Sequence, residues 1–183
     1  MVSDALIFLI ETVAWLFTLA LLLRFLLQWA RAAPRNPISD FVNALTNFMV
    51  KPARRVIPGL WGLDLPTLLL AWLVQFVALV FVLQLAAGDI VLASASQLGA
   101  IAVMALVRIV RLILYIIIGA VIIQAVLSWV NPYSPMAGVL NALTRPLLKP
   151  FQRRIPPVGN VDLSPLFVIV ICQLILIVLS HVR

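Results

Sequence analysis

The sequence has little of what soluble domains and most active sites depend on. Only 10% of its 183 residues are charged, and just 6 are Asp or Glu. A soluble domain carries about 25% charged residues, so a chain this poor in charge needs lipid as part of its solvent. The single cysteine, Cys172, stands inside an apolar run. That excludes a disulfide framework and a cysteine-cluster metal site, and it reads as a small buried hydrophobe. The single histidine, His181, has no acid or cysteine close in sequence to make it a catalytic base or metal ligand. The 7 glycines are scattered, so there is no Gly-rich phosphate loop. No catalytic constellation emerges; the expectation is a protein that is not an enzyme and needs neither metal nor cofactor.

What is present is hydrophobic: 64% of the chain, with a net charge of +7. The basic residues flank apolar runs instead of forming a separate charged face. They therefore point to membrane orientation and anionic lipid, not to nucleic acid. Four runs are long enough to approach the roughly 20 helical residues that cross a bilayer: about 5–29, 65–87, 112–130 and 163–179. The third has an apolar extension back to Gly99. Backbone groups in lipid must bond internally, so these runs are helices. Asp4 and Glu11 replace the basic start of a secretory leader, so residues 1–29 read as a retained span. Asp64-Leu65-Pro66 and Asp162-Leu163-Ser164-Pro165 open two of the spans, with proline in the first turn and an acid at the positive end of the dipole.

The loop 30–63 holds Arg31, Arg35, Lys51, Arg54 and Arg55 against Asp40, and the loop 131–161 holds Arg145, Lys149, Arg153 and Arg154. The linker 88–98 contains Asp89 and no basic residue. The positive-inside rule then places both basic loops in the cytoplasm and both termini outside. Trp29, Trp61 and Trp129 fall near that cytoplasmic interface.

A shift of 98 residues overlays the chain on itself. Asn43-Ala44-Leu45-Thr46 returns as Asn141-Ala142-Leu143-Thr144, Lys51-Pro52 as Lys149-Pro150, Asp64 as Asp162 and Gln75 as Gln173. Trp29 matches Trp129 with a two-residue gap, and Arg54-Arg55 matches Arg153-Arg154 after one inserted residue. Six of ten positions agree between Asn43–Pro52 and Asn141–Pro150, where composition alone gives about one. The chain thus divides into repeats 1–87 and 99–183 joined by the linker 88–98, each repeat a hairpin inserted with the same polarity. In the first loop Ile38, Phe41, Val42, Leu45, Phe48 and Met49 form a helical apolar stripe. Met136, Val139, Leu140, Leu143 and Leu147 repeat it in the second, where Pro146 interrupts it. The expected fold is all-α, with four transmembrane helices as two tandem parallel hairpins, each loop carrying a cytoplasmic amphipathic helix.

On these residues the chain resembles the YggT family, also called YlmG, of bacterial and plastid membrane proteins. The second half carries the pattern best: Ser128-Trp129-Val130-Asn131-Pro132, Lys149-Pro150, Arg153-Arg154-Ile155-Pro156 and Asp162-Leu163-Ser164-Pro165. In the first half Trp29 is followed by Ala30-Arg31, and Asp64-Leu65-Pro66 lacks the serine. The resemblance implies an inner-membrane role in envelope physiology: osmotic and cation tolerance, cell shape and division, or assembly of membrane complexes.

Polar groups inside the spans are the remaining signal. Glu11 lies 18 residues before Trp29, and Arg111 the same distance before Trp129. Charge in lipid is costly unless paired, so Glu11 is expected to pair with Arg111 or Arg108. The pair reads either as part of an ion or proton path or, preferably, as an outer-interface contact that fixes packing. Gln75 and Gln173, at matching depth, read preferably as packing groups that bond across the pseudo-axis or to span backbones, or else as the lining of a narrow polar path. Asp64 and Asp162 are expected to pair with nearby loop arginines, Arg55 and Arg154 being candidates. Lys51, Arg54, Arg55, Lys149, Arg153 and Arg154 are the candidate contacts to anionic headgroups, a protein partner or a second copy. The leading function is a non-enzymatic organiser or assembly factor; the alternative is a small cation or osmolyte transport component.

Overall fold

The computed structural model describes residues 2–33, 36–57, 59, 63–87, 94–131, 134–154 and 162–181. Trp61, Asp89, Pro132, Ile155 and Pro156 lie outside the described residues. Six helices make up the described chain: α1 (Val2–Trp29), α2 (Pro37–Val56), α3 (Leu65–Ala87), α4 (Ala95–Val130), α5 (Pro135–Gln152) and α6 (Ser164–Ser180). The order of a long apolar, an amphipathic and a further apolar helix thus occurs twice.

Three stretches are long and apolar enough to cross a membrane: Ser3–Trp29, Leu65–Ala87 and Ala95–Ser128. The fourth apolar helix, Ser164–Ser180, is shorter. Their outward faces carry large side chains such as Phe8, Phe81, Leu106 and Val178, all exposed. Faces this apolar, on helices this long, suit a hydrocarbon solvent. The protein is a helical membrane protein.

Local sequence sets the helix starts. Asn36 caps α2 by accepting from the Ser39 amide at 2.8 Å, with Pro37 in the first turn. Ser134 caps α5, ahead of Pro135, by accepting from the Met136 amide. Ser94 and Gln97 form a reciprocal capping box that starts α4 at Ala95. That cap carries the helix N-terminal of both the expected span at 112 and its extension to Gly99. Pro146 and Pro150 do not break α5; both are exposed, so their rings displace no packed neighbour.

The main core joins Leu21, Leu22 and Leu26 of α1, Val50 of α2, Ala71 of α3, Ile109, Leu112, Ile116 and Ala120 of α4, and Leu140 and Leu143 of α5. Because α2 and α5 enter one cluster beside the C-terminal half of α1, they occupy the same end of the bundle. A second cluster seats α6 through Val168, Cys172 and Leu176 against Leu114, Ile118 and Val121 of α4. The stripe expected as one face of α2 divides in two. Val42 is buried while Phe41, Leu45 and Phe48 lie exposed, with the Phe48 ring 5.7 Å from that of Phe17. Thr46, expected on another face, and Val50, outside the expected stripe, are buried with Val42.

The chain leaves α1 through a left-handed residue that is not glycine. Arg31 has φ of 52°, and amides of Arg31 and Ala32 bond back to the carbonyls of Gln28 and Leu27 at 3.0 Å. This is a Schellman ending, whose left-handed position is usually glycine. A side chain there costs about 1 kcal/mol.

Candidate functional site

Two polar clusters interrupt the apolar bundle. The first lies where α1, α2 and α3 meet at the end shared with α5. Arg24 of α1 donates through Nη1 to Thr46 Oγ1 at 2.7 Å and Asn47 Oδ1 at 3.0 Å on α2. Arg54, near the end of α2, donates to both Asp64 oxygens, at 3.2 and 2.5 Å, and to Gln28 Oε1 at 2.9 Å. Thr67 adds a bond from the first turn of α3 to Asp64 Oδ2. Asp64 and Thr67 are buried, whereas the Arg54 side chain is 42% exposed. Burial by itself raises the Asp64 carboxyl, but the bonds from Arg54 and Thr67 and the charges of Arg54 and Arg24 outweigh it and hold the group below its ordinary value. Beside this network is a pocket of about 390 Å³ whose lining includes Arg24, Arg31 and Arg54 with Gln28, Asn43 and Asn47.

The second half builds the same scaffold without charge. Gln124, 100 residues after Arg24, accepts from Thr144 Oγ1 and lies 3.4 Å from Asn141 Oδ1. Gln152, 98 residues after Arg54, donates to Asp162 Oδ2 at 2.8 Å. Asp162 also accepts from the Ser164 amide at 2.8 Å. Burial raises this carboxyl too, and the Ser164 and Gln152 bonds bring it below its ordinary value.

Asp64 pairs with a loop arginine as expected, Arg54 in place of the candidate Arg55. One expectation is corrected: Asp162 is held by Gln152 and not Arg154. The inserted residue that would align Arg54-Arg55 with Arg153-Arg154 is unnecessary, because Gln152 fills the place of Arg54 at the constant shift of 98 residues.

The second cluster lies nearer the other end. Arg108 meets Glu11 at 3.2 Å. Arg111, the first expected partner of Glu11, instead donates to the Leu179 carbonyl of α6. Gln75, buried, donates to Thr18 Oγ1 at 3.0 Å. Gln173 is exposed and does not meet it. A cavity of about 420 Å³ is lined by Glu11, Arg108, Arg111, Gln75, Trp15 and Tyr115, among others. Gln75 lies about 15 Å along α3 at about 1.5 Å per residue. Beyond it toward α2 and α5 the Leu21, Leu22, Ala71 and Ile116 core is closed.

The other expected positions are less engaged. Lys51, Pro52, Arg55, Lys149, Pro150, Arg153 and Arg154 are exposed. Lys149, Arg153 and Arg154 line a groove of about 370 Å³ with Pro146 and Pro150. Trp29 is exposed at the end of α1, and Trp129 lies in the last turn of α4. Thr46 and Thr144 are buried; the Thr46 hydroxyl also donates to the Val42 carbonyl, and the single proton of the Thr144 hydroxyl is shared between Gln124 Oε1 and the Leu140 carbonyl. Sequence reasoning passed over Arg24, Thr18, Thr67, Gln124 and Gln152. Arg24 had a signal, a cation inside an apolar span, and Gln124 and Gln152 follow from it once the repeat shift is applied. Among the described residues no three His, Cys, Asp or Glu side chains gather to hold a metal.

Long helices with apolar outer faces, their buried polar groups tied into clusters between helices, define a helical membrane protein with two amphipathic helices at one end. The family model described as CCB3/YggT matches residues 3–85 and 103–182, and the chain belongs to that family. A Pseudomonas aeruginosa protein is 35% identical over 175 residues, which cover 94% of this chain and 87% of the relative. The Escherichia coli protein YggT is 32% identical over 173 residues, with the same 94% and 87% coverage. The ycf19 protein of the alga Porphyra purpurea is 33% identical over 66 residues, 34% of this chain and 70% of the relative. No solved structure matches.

Proposed function

We propose that the chain is a non-enzymatic organiser or assembly factor of the bacterial inner membrane, acting in envelope physiology such as cell shape, division or osmotic tolerance. In this reading α1, α3, α4 and α6 all cross the bilayer as two parallel hairpin repeats, residues 1–87 and 99–183. The basic loops lie in the cytoplasm and both termini outside. The family match in two separate stretches and the twofold helix order support the repeat. The observation that carries the function is the gathering of exposed cations at one end: Lys51 and Arg55 on α2, Lys149 on α5, and Arg153 and Arg154 just after it. Such a surface attracts anionic headgroups at about 1 kcal/mol per cation near the surface, and it gives an acidic protein partner or a second copy a place to dock.

Crosslinking in intact membranes from probes in the two loops tests this. Reversing Arg55, Lys149, Arg153 and Arg154 to Glu is expected to cut protein adducts at least tenfold while the protein still accumulates. Undiminished adducts would reject the docking role.

A transport component is the second reading, favoured by the cavity at Glu11, Arg108, Arg111 and Gln75. One acid against two arginines leaves net positive charge, which repels a small cation and suits a zwitterionic osmolyte better. The closed core beyond Gln75 argues against an open path. Flux of a zwitterionic osmolyte into proteoliposomes that falls in Gln75→Leu would promote this reading above the first; absence of flux above empty vesicles would remove it.

A further inference from the structure

The two halves of the chain differ at the same three places, and the difference has one chemical sense. Arg24, Arg31 and Arg54 all line the pocket between α1 and α2. Their counterparts in the second half are Gln124, Asn131 and Gln152, each a neutral amide. The surrounding frame is kept: Asn43 and Asn141, Thr46 and Thr144, Asp64 and Asp162. Gln124 and Gln152 show that the scaffold closes its bonds to Thr144 and Asp162 without any cation. Structural need therefore does not account for arginine at all three positions.

The charge in the pocket is only partly cancelled. Asp64 neutralises Arg54 from behind. Arg24 uses one terminal nitrogen for its bonds to Thr46 and Asn47, and a guanidinium has five N–H donors. Arg31 has no ion-pair partner among the described residues, and it is held in a left-handed conformation that glycine would adopt at lower cost. Its counterpart Asn131, at φ −155°, carries no such strain. Strain retained at a residue whose side chain enters a pocket points to use of that side chain.

We propose that the pocket formed by Arg24, Arg31 and Arg54, with Asn43 and Asn47, binds a phosphate group, and that this is a property of the first half alone. Planar guanidinium forks match phosphate oxygens bidentately, and a volume of about 390 Å³ admits a glycerophosphate. The phosphate belongs either to a lipid headgroup at the membrane surface or to a soluble phosphate ester. The site deepens the organiser reading by giving its basic end a specific anion, but it uses none of the exposed cations on which that reading rests.

The test uses the full chain, in detergent and in nanodiscs, with thermal unfolding and native mass spectrometry as readouts. Glycerol 3-phosphate is titrated at constant ionic strength against chloride, and phosphatidylglycerol nanodiscs are compared with nanodiscs of phosphate-free digalactosyldiacylglycerol. A rise in Tm with glycerol 3-phosphate identifies a soluble ester. A rise confined to phosphatidylglycerol, with lipid retained in the mass spectrum, identifies the headgroup. In either case Arg31→Gly is expected to leave the unliganded Tm unchanged or higher and to weaken binding at least tenfold; Arg54→Gln is expected to weaken binding as much, from an unliganded Tm lowered by the lost ion pair with Asp64. A variant with Lys51, Arg55, Lys149, Arg153 and Arg154 changed to Gln is expected to bind as wild type does, which separates the pocket from the exposed surface. Equal binding by wild type and Arg31→Gly, or no response to either phosphate source, overturns the proposal.

Discussion

Replacing Asp64 by Ala is expected to remove about 2–3 kcal/mol of folding stability, against about 1 kcal/mol for Asp162→Ala. Asp64 is 4% exposed and receives Arg54 and Thr67. Removing it strands a guanidinium and a hydroxyl beside the core. The figure stands below the full cost of breaking a buried ion pair because Arg54 is partly open to water and finds solvent in its place. Asp162 is exposed, and its principal partners are the neutral Gln152 and a backbone amide. Thermal or denaturant unfolding in mild detergent checks the order; equal losses at the two sites would contradict the assigned bonding. The pH dependence has a definite sign. The folded Asp64 carboxyl lies below its ordinary 3.8, so its contribution is complete above that value and disappears as pH falls through the lower folded one. Asp64→Asn should flatten this acid limb of the stability curve and leave the neutral-to-alkaline limb parallel to that of wild type.

Placing a carboxylate at Val50 should be more damaging still. Val50 is fully buried, at 0% exposure, in the cluster that joins α2 to α1 and α5. An unpaired charge there costs several kcal/mol even after relaxation, and the expected outcome is that α2 leaves the bundle. Phe48, 69% exposed on the other face of the same helix, provides the contrast. Phe48→Asp loses its contact with Phe17 and should cost about 1 kcal/mol or less. Limited trypsin digestion in detergent reports on both, because Arg54 and Arg55 become cleavable when α2 undocks. Val50→Asp should be cut at least tenfold faster than wild type and Phe48→Asp within about twofold. Equal susceptibility would mean that the buried face of α2 has been misassigned.

Hydropathy and capping made the helices legible to different degrees. The α3 span was readable to the residue, since Pro66 marks its first turn and an uninterrupted apolar run its length. The start of α4 was not, because Arg108 and Arg111 resemble the end of a span. They do not end it, since one reaches Glu11 and the other a carbonyl of α6. The stripe on α2 announced an amphipathic helix, but periodicity cannot tell protein from lipid as the apolar neighbour, so the separation of buried Val42 from exposed Phe41 and Phe48 was out of reach. Pairing across loops was the least accessible. Adjacent residues such as Arg54 and Arg55 differ by about 100° around a helix, and only the docked rotation of α2 decides which one meets Asp64. The amide replacements of the second half were visible in the letters; what they replace became apparent once Thr144 and Asp162 were seen held by Gln124 and Gln152.

The helices assigned to the membrane differ widely in length. The 36 residues of α4 extend about 54 Å, while the 17 residues of α6 reach about 26 Å, against a hydrocarbon layer of about 30 Å. In the proposed topology the same molecule overshoots the bilayer on one flank and undershoots it on the other. Lipids beside α6 must thin or tilt, and those beside α4 need not. The protein would accordingly partition toward thinner membrane regions and collect there with neighbours of similar thickness, a lateral sorting that follows from geometry and needs no adhesive contact.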